Sequence, residues 1–151
     1  MPGVVAPLDF FDPLEFSAVD METLKFYRES EIHHGRVSML AIVGVWAQES
    51  IVHGPAISHL SKTPQFLWVV MVFIAAFLES VRAQIAFVGL GSMRTNYKPG
   101  SAWDDPLEWA PLNAADLKDM QTKELQNGRL AMIGIMGIMA QELATKSPIF
   151  G

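Results

Sequence analysis

The stretch EIHHGRVSMLAIVGVWAQE at residues 31–49 returns 93 positions later as ELQNGRLAMIGIMGIMAQE at residues 124–142. Nine of the 19 aligned positions are identical, where chance would give about one or two. Both copies lie in apolar stretches, so the chain uses one helical unit twice. The identical pairs are Glu31/Glu124, Gly35/Gly128, Arg36/Arg129, Met39/Met132, Ile42/Ile135, Gly44/Gly137, Ala47/Ala140, Gln48/Gln141 and Glu49/Glu142.

The rest of the chain fits one domain of 151 residues, half of them hydrophobic, with a mean hydropathy of +0.25. Apolar stretches with their flanks predict three helices, at 24–50, 64–90 and 114–143. None of the stretches reaches the ~18 uninterrupted apolar residues of a simple membrane span. Two architectures stay open on hydropathy alone: a membrane protein with paired charges at depth, or a soluble apolar bundle.

Composition excludes several classes of function. The chain has no cysteine, which excludes disulfides, thiolate metal sites and thiol catalysis. A net charge of −5 argues against a nucleic-acid partner.

The charges predict how the two copies of the repeat meet. Glu31 and Arg36 are five residues apart, 140° around a helix, and cannot pair well on their own helix. If the first and third helices cross near a two-fold axis, Glu31 reaches Arg129 and Glu124 reaches Arg36, which neutralises all four charges. Five small residues would let the backbones approach: Gly35, Gly44, Gly128, Gly134 and Gly137.

Neutral polar side chains recur along the same two helices. His34 and Gln48 are 14 residues apart, as are Asn127 and Gln141, so each pair lies near one helix face about 21 Å apart. Polar groups inside an apolar environment, such as the interior of a membrane, need a hydrogen-bonding or coordinating partner. A ring-bound Mg²⁺ that accepts one axial nitrogen or oxygen suits ligands spread out in this way, whereas a bare metal ion needs several converging ligands.

The two signatures Glu31-x-x-His34-x-Arg36 and Glu124-x-x-Asn127-Gly128-Arg129 resemble those of the chlorophyll-binding light-harvesting complex family. The segment from Met120 to Leu143 is similar to the chlorophyll a/c antennas of algae with secondary plastids, of the fucoxanthin, peridinin or alloxanthin types. The resemblance covers roughly residues 8–145. It implies an all-α membrane protein with three transmembrane helices, the first and third forming a pseudo-two-fold crossed pair, within one antenna domain at 1–151.

The resemblance also implies the ligands. Arg36 and Arg129 are the charge partners of two carboxylates, and Arg82 is that of Glu79 in the middle helix. Gln48 joins the set because it is the repeat equivalent of Gln141. The axial chlorophyll ligands are then Glu31, His34, Gln48, Glu79, Glu124, Asn127 and Gln141. A surface ion pair is the alternative for Glu79 and Arg82. His33 aligns with Gln126 and is expected at the helix interface, whereas the roles of His53, His59, Gln65 and Gln84 stay open.

A second repeated motif precedes the first and third helices, in FDPLEF at 11–16 and WDDPLEW at 103–109. It resembles the family's Phe-Asp-Pro-Leu motif, which implies contact with carotenoid head groups; a simple turn is the alternative. The residues concerned are Asp12, Pro13, Leu14, Asp105, Pro106 and Leu107.

The implied function is light harvesting in the plastid thylakoid membrane, with chlorophyll a, chlorophyll c and xanthophylls as cofactors, and no enzymatic activity. Expected partners are membrane lipids, neighbouring antenna subunits and a photosystem core, photosystem I rather than II. Of the eight Lys and Arg residues outside the helix-end pairs, six lie on the membrane side that holds the N-terminus and two on the other side. This excess of positive charge predicts a stromal N-terminus.

Two other functions remain possible. An energy-dissipating member of the same superfamily would use the same ligands. A ferritin-like di-iron bundle would need a second Glu-x-x-His, where this chain has Glu124-x-x-Asn127.

Overall fold

The computed structural model describes residues 3–4, 10–52, 54–59, 64–89, 92–101 and 113–150. They form a mostly helical chain with a short 3-10 turn at Phe16–Ala18. The helices are α1 (Met21–Val52), α2 (Ala56–His59), α3 (Gln65–Ala86) and α4 (Ala114–Thr145), and a small antiparallel hairpin pairs β1 (Phe87–Gly89) with β2 (Ser92–Met93).

The two repeat helices match over their whole length. α1 and α4 each have 32 residues, and both their first and their last residues are 93 positions apart. The residues before them are also equivalent: the side chains of Asp20 and Asn113 each accept an amide hydrogen bond from the first turn. This N-terminal capping satisfies amides that have no partner inside the helix. Both helices are longer than the ranges 24–50 and 114–143 expected from the sequence.

The middle helix ends earlier than predicted. The range 64–90 is wrong at its C-terminus, because α3 stops at Ala86 and Phe87 is extended. Phe87 pairs with Met93 across the hairpin, and the amide of Arg94 donates to the carbonyl of Ala86 at 3.0 Å. The fold is therefore not purely helical. Aromatic and β-branched residues at 87 and 88, followed by a glycine, favour an extended chain over a last helical turn.

α1 and α4 are in direct backbone contact at one pair of glycines. A Cβ atom on Gly35 would lie 3.0 Å from the Cα of Gly128, and the reverse distance is the same. Among the other glycines expected at this contact, Gly134 approaches only a side chain, Ile42, at 3.3 Å. The expectation is wrong for Gly44 and Gly137, since apart from their chain neighbours and their own helix backbone no described protein atom lies within 4 Å of a Cβ placed on them.

The hairpin ties the end of α3 to α1. Ala86, Met93 and Tyr97 form a small buried cluster. From the same segment, the hydroxyl of Ser92 donates to Glu22 at 3.0 Å, and Lys25 donates to the carbonyl of Thr95. These contacts place the C-terminal end of α3 beside the N-terminal half of α1.

Within the part of the chain that the structure describes, α3 is the one helix long and apolar enough to cross a membrane by itself. Its mean hydropathy is 1.9 over the most apolar 18 residues, none of which is buried in the protein.

Candidate functional site

The ion pairs expected between the repeat helices are present. The Nε of Arg129 lies 2.7 Å from a carboxylate oxygen of Glu31, and the Nε of Arg36 lies 2.7 Å from one of Glu124. Glu31 also receives Arg28 of its own helix at 2.9 Å. The side chains of Glu31 and Glu124 are only a quarter to a third exposed. Each is neutralised by an arginine of the other helix, where α1 and α4 are in contact.

Both arginines also bind a glycine carbonyl, a contact that the sequence analysis missed. Arg129 donates to the carbonyl of Gly3 at 2.9 Å, and Arg36 donates to that of Gly100 at 3.1 Å. The two glycines have φ values of +91° and +88°, a backbone region that favours glycine. A Pro-Gly dipeptide at 2–3 and at 99–100 was the available signal, but its offset of 97 differs from the 93 of the helices.

His34 is exposed and presents one unprotonated ring nitrogen. Its Nδ1 lies 2.7 Å from the carbonyl oxygen of Ser30, one turn earlier in α1. The hydroxyl of Ser30 also lies 3.3 Å from Nδ1, but the shorter contact is to the carbonyl, which only accepts. In the neutral imidazole this contact favours the proton on Nδ1 and the lone pair on Nε2. A hydrogen bond at one nitrogen that fixes the tautomer of the other is typical of metal-ligating histidines.

His34 and Asn127 occupy equivalent positions in the repeat. After each of them, exposed apolar side chains follow at every third residue of the helix. Both bases are themselves exposed. The two rows are related by the 93-residue offset at every position, so each helix presents a Lewis base beside an apolar surface. The rows are Val37, Leu40, Val43 and Trp46 on α1, and Leu130, Ile133, Met136 and Met139 on α4.

The two glutamines near the other ends of the helices differ. The amide nitrogen of Gln48 donates to the carbonyl of Ala56 at 3.3 Å, which leaves its amide oxygen as the free donor atom of a Lewis base. Gln141 is exposed. The repeat therefore supplies the same side chain at both places but a different local environment.

In α3, Glu79 and Arg82 form the expected pair, with Nη2 2.9 Å from Oε2. Arg82 also binds the buried Glu29 of α1 at 3.1 Å, and His33 Nε2 lies 3.0 Å from the other oxygen of Glu79.

Burial, together with the neighbouring Glu29, raises the pKa of Tyr97 to about 12.

Two buried carboxylates hold the other ends of the helices, a structural role that the sequence analysis did not predict for them. Glu142 accepts the amides of Ala56 and Ile57, at 3.2 and 3.0 Å. Its equivalent Glu49 accepts those of Ile149 and Phe150, and 149–150 is 56–57 shifted by 93. Each helix thus binds the segment that follows the other helix. Pro55 and Pro148 show that the repeat extends this far.

The motif before α1 is a capped turn. The Asp12 carboxylate accepts the amides of Phe16 and Ser17, at 3.0 and 2.7 Å. Hydrogen bonds from the Ser17 hydroxyl, the Ser17 amide and the Phe16 amide lower the pKa of Asp12. Pro13 and Leu14 are exposed, and Asp105, Pro106 and Leu107 lie outside the described residues.

The donor chemistry fits a metal that brings its own ring. Across the described residues, no group of three or more His, Cys, Asp or Glu side chains converges on a point where a bare metal ion would bind. The candidate ligands instead stand separately, as neutral donors or as carboxylates paired with arginine. Each can supply one axial ligand to a ring-bound Mg²⁺.

Comparison with known proteins gives the family. The model of the chlorophyll A-B binding protein family matches residues 1–143. The chain is 39% identical over 169 residues to light-harvesting complex stress-related protein 1 of Chlamydomonas reinhardtii, covering 99% of this chain and 67% of that protein. It is 37% identical over 158 residues to a fucoxanthin-chlorophyll a-c binding protein of Isochrysis galbana, covering 94% and 76%.

A chlorophyll a-b binding protein of Petunia hybrida is 31% identical over 163 residues, covering 92% of this chain and 60% of that protein. The chain belongs to the chlorophyll a-b binding protein family, the light-harvesting complex superfamily of pigment-binding antenna proteins. It spans about two thirds of the length of the stress-related relatives it matches.

Proposed function

We propose that this protein binds chlorophyll a, chlorophyll c and xanthophylls in the thylakoid membrane and passes absorbed light energy to a photosystem. The observation that carries the proposal is the pair of equivalent Lewis bases, His34 and Asn127, each beside an exposed apolar row and a neutralised Glu–Arg pair. When bound, chlorophyll supplies a Mg²⁺ that accepts one axial donor and a conjugated ring that absorbs visible light.

Seven side chains serve as axial ligands in this proposal. His34 offers Nε2, because Ser30 holds the proton on Nδ1. Glu31 and Glu124 offer carboxylate oxygens whose charge Arg129 and Arg36 compensate. The remaining ligands are Gln48, Glu79, Asn127 and Gln141.

The two Asp-Pro-Leu motifs before α1 and α4 contact carotenoids. Support comes from the capped turn at Asp12, which leaves Pro13 and Leu14 exposed beside backbone polar groups. The equivalent residues in the second copy are Asp105, Pro106 and Leu107.

Three helices cross the membrane, and α1 and α4 form a pseudo-two-fold pair. Reciprocal contacts at two levels support the symmetry: the Glu–Arg pairs at one level, and Glu49 and Glu142 with the segments after the opposite helix at the other. A 32-residue helix is about 48 Å long, longer than the ~30 Å hydrocarbon core, so tilted helices fit. The lysine and arginine distribution favours a stromal N-terminus.

The chain delivers energy to photosystem I rather than photosystem II and contacts neighbouring antenna subunits. Reconstitution with a chlorophyll a, chlorophyll c and xanthophyll extract tests the function. We expect a coloured complex whose chlorophyll a fluorescence is excited by light that chlorophyll c and carotenoids absorb. A protein that stays colourless would contradict pigment binding. A pigmented protein with a short fluorescence lifetime and no transfer to purified photosystem I would support energy dissipation instead.

A further inference from the structure

His33 connects the first helix to the proposed ligand of the middle helix. Its Nε2 lies 3.0 Å from Oε1 of Glu79, so a side chain of α1 contacts a side chain of α3. A carboxylate is only an acceptor here, so Nε2 carries the proton. Nε2 of His33 therefore has no lone pair for a metal, in contrast to Nε2 of its neighbour His34.

The two carboxylate oxygens of Glu79 are held from different helices. His33 of α1 binds Oε1, whereas Arg82 of α3 binds Oε2 through Nε at 3.0 Å and Nη2 at 2.9 Å. A carboxylate has about four lone-pair positions; these three donors leave one of them, on Oε1, for another partner. Donors on both oxygens fix the plane of the carboxylate, which Arg82 alone does not, because both of its nitrogens bind the same oxygen, Oε2.

Arg82 alone does not fully compensate Glu79. Its Nη1 also lies 3.1 Å from Glu29, whose side chain is only 5% exposed. One guanidinium thus serves two carboxylates, and the buried one gains further support from the amide of Gly100 at 2.6 Å. The hydrogen bond from His33 is the contact that Glu79 receives and Glu29 does not.

We propose that His33 is a positioning residue for Glu79, and that it orients this carboxylate for axial ligation of a chlorophyll magnesium on α3. The inference rests on the proposed function of Glu79 as a ligand. The repeat equivalent of His33, Gln126, donates instead to the carbonyl of Gly3. Position 33 therefore acts toward the middle helix, which has no counterpart in the repeat.

The test compares four reconstituted proteins: wild type, Glu79→Leu, His33→Leu and His33→Gln. Glu79→Leu should lose one chlorophyll per polypeptide, and its difference spectrum from wild type defines the absorption band of that site. His33→Leu should lose or shift the same band, because removal of a group that orients a ligand weakens metal binding roughly tenfold. His33→Gln should restore the band, because its amide nitrogen can replace Nε2 as the donor.

The outcomes separate the inference from the proposed function. An unaltered band and stoichiometry in His33→Leu, with loss in Glu79→Leu, would overturn the role of His33 alone. Unaltered stoichiometry in Glu79→Leu would instead overturn ligation by Glu79. If His33→Leu does not fold, His33→Asn replaces it, because the shorter amide of asparagine does not reach Glu79. The inference then requires a weakened band in His33→Asn and a restored band in His33→Gln.

Discussion

At the scale of single residues, the environment of a side chain decides which atom it offers. His34 and His33 are neighbours in α1, yet the carbonyl of Ser30 keeps the proton of one ring on Nδ1 and the carboxylate of Glu79 keeps that of the other on Nε2. Only His34 is left with an exposed basic Nε2. The same residue type thus provides a candidate ligand at one position and a hydrogen-bond donor at the next.

Replacing Asn127 with Leu should remove one chlorophyll and leave the fold intact. The leucine is similar in size but has no donor atom, and the nearby pair of Glu124 and Arg36 is untouched. The measurement is the chlorophyll content per polypeptide with the absorption spectrum. The control is His34→Asn, which should keep its pigment because Asn serves at the equivalent position. Unchanged pigment content in Asn127→Leu would show that another group ligates the magnesium.

Replacing Arg36 with Leu should destabilise the protein by about 2 kcal/mol, because Glu124 is left without its partner in a site that is only partly buried. The carbonyl of Gly100 also loses its donor. Thermal denaturation, followed by circular dichroism, measures the effect. Lys123→Ala is the matched control, since its pair with Asp119 is exposed and should contribute little. An unchanged melting temperature in Arg36→Leu would contradict the importance of the ion pair.

At the scale of an element, the capping residues of the two repeat helices predict a difference in their response to acid. Hydrogen bonds from the Thr23 hydroxyl and amide lower the pKa of Asp20, the cap of α1. Because the pKa is lower in the folded state, the capping contribution is present above the ordinary pKa of an aspartate, about 3.9, and is lost as the pH falls through the lowered value.

The first turn of α1 should therefore open more readily below about pH 4, as measured by amide hydrogen exchange at Thr23. α4 is an internal control, since its cap Asn113 does not titrate. Asp20→Asn should remove the acid dependence from α1 while keeping an acceptor. Acid-induced opening that persists in this variant would show that another group controls the first turn.

At the scale of the whole molecule, one backbone contact determines how closely the repeat helices approach. Gly35→Ala should separate α1 from α4, because its Cβ would lie 3.0 Å from the Cα of Gly128 and backbone cannot yield as a side chain can. We expect a loss of about 1–3 kcal/mol from overpacking, together with weaker chlorophyll binding at Glu31 and Glu124. Gly137→Ala should be tolerated by the fold, because outside its own stretch of helix no described protein atom lies within 4 Å of its Cβ.

Denaturation midpoints and pigment content of the two variants test this contact. Equal stability of Gly35→Ala and Gly137→Ala would show that the helices can slide apart without cost. A loss confined to Gly35→Ala would confirm that Gly35 and Gly128 define the centre of the assembly.

The sequence determined the features that follow from local chemistry and repetition. The 93-residue offset locates both repeat helices. The need to neutralise charges in an apolar environment identifies the partners of Glu31 and Glu124. Residue spacing similarly predicts the pair of Glu79 and Arg82 within α3. The same residues carry the resemblance to the family whose model matches residues 1–143.

Only the tertiary structure decided the features that depend on segments distant along the chain. α3 ends at Ala86 because the residues that follow pair with Ser92 and Met93. Glu49 and Glu142 accept hydrogen bonds from backbone amides, which no sequence motif predicts. Helical spacing identifies a glycine as small but not as the one at the contact, so Gly35 and Gly44 looked alike. The position of His33 against Glu79 arises in the same way, because side-chain direction across two helices depends on how they pack and not on either helix alone.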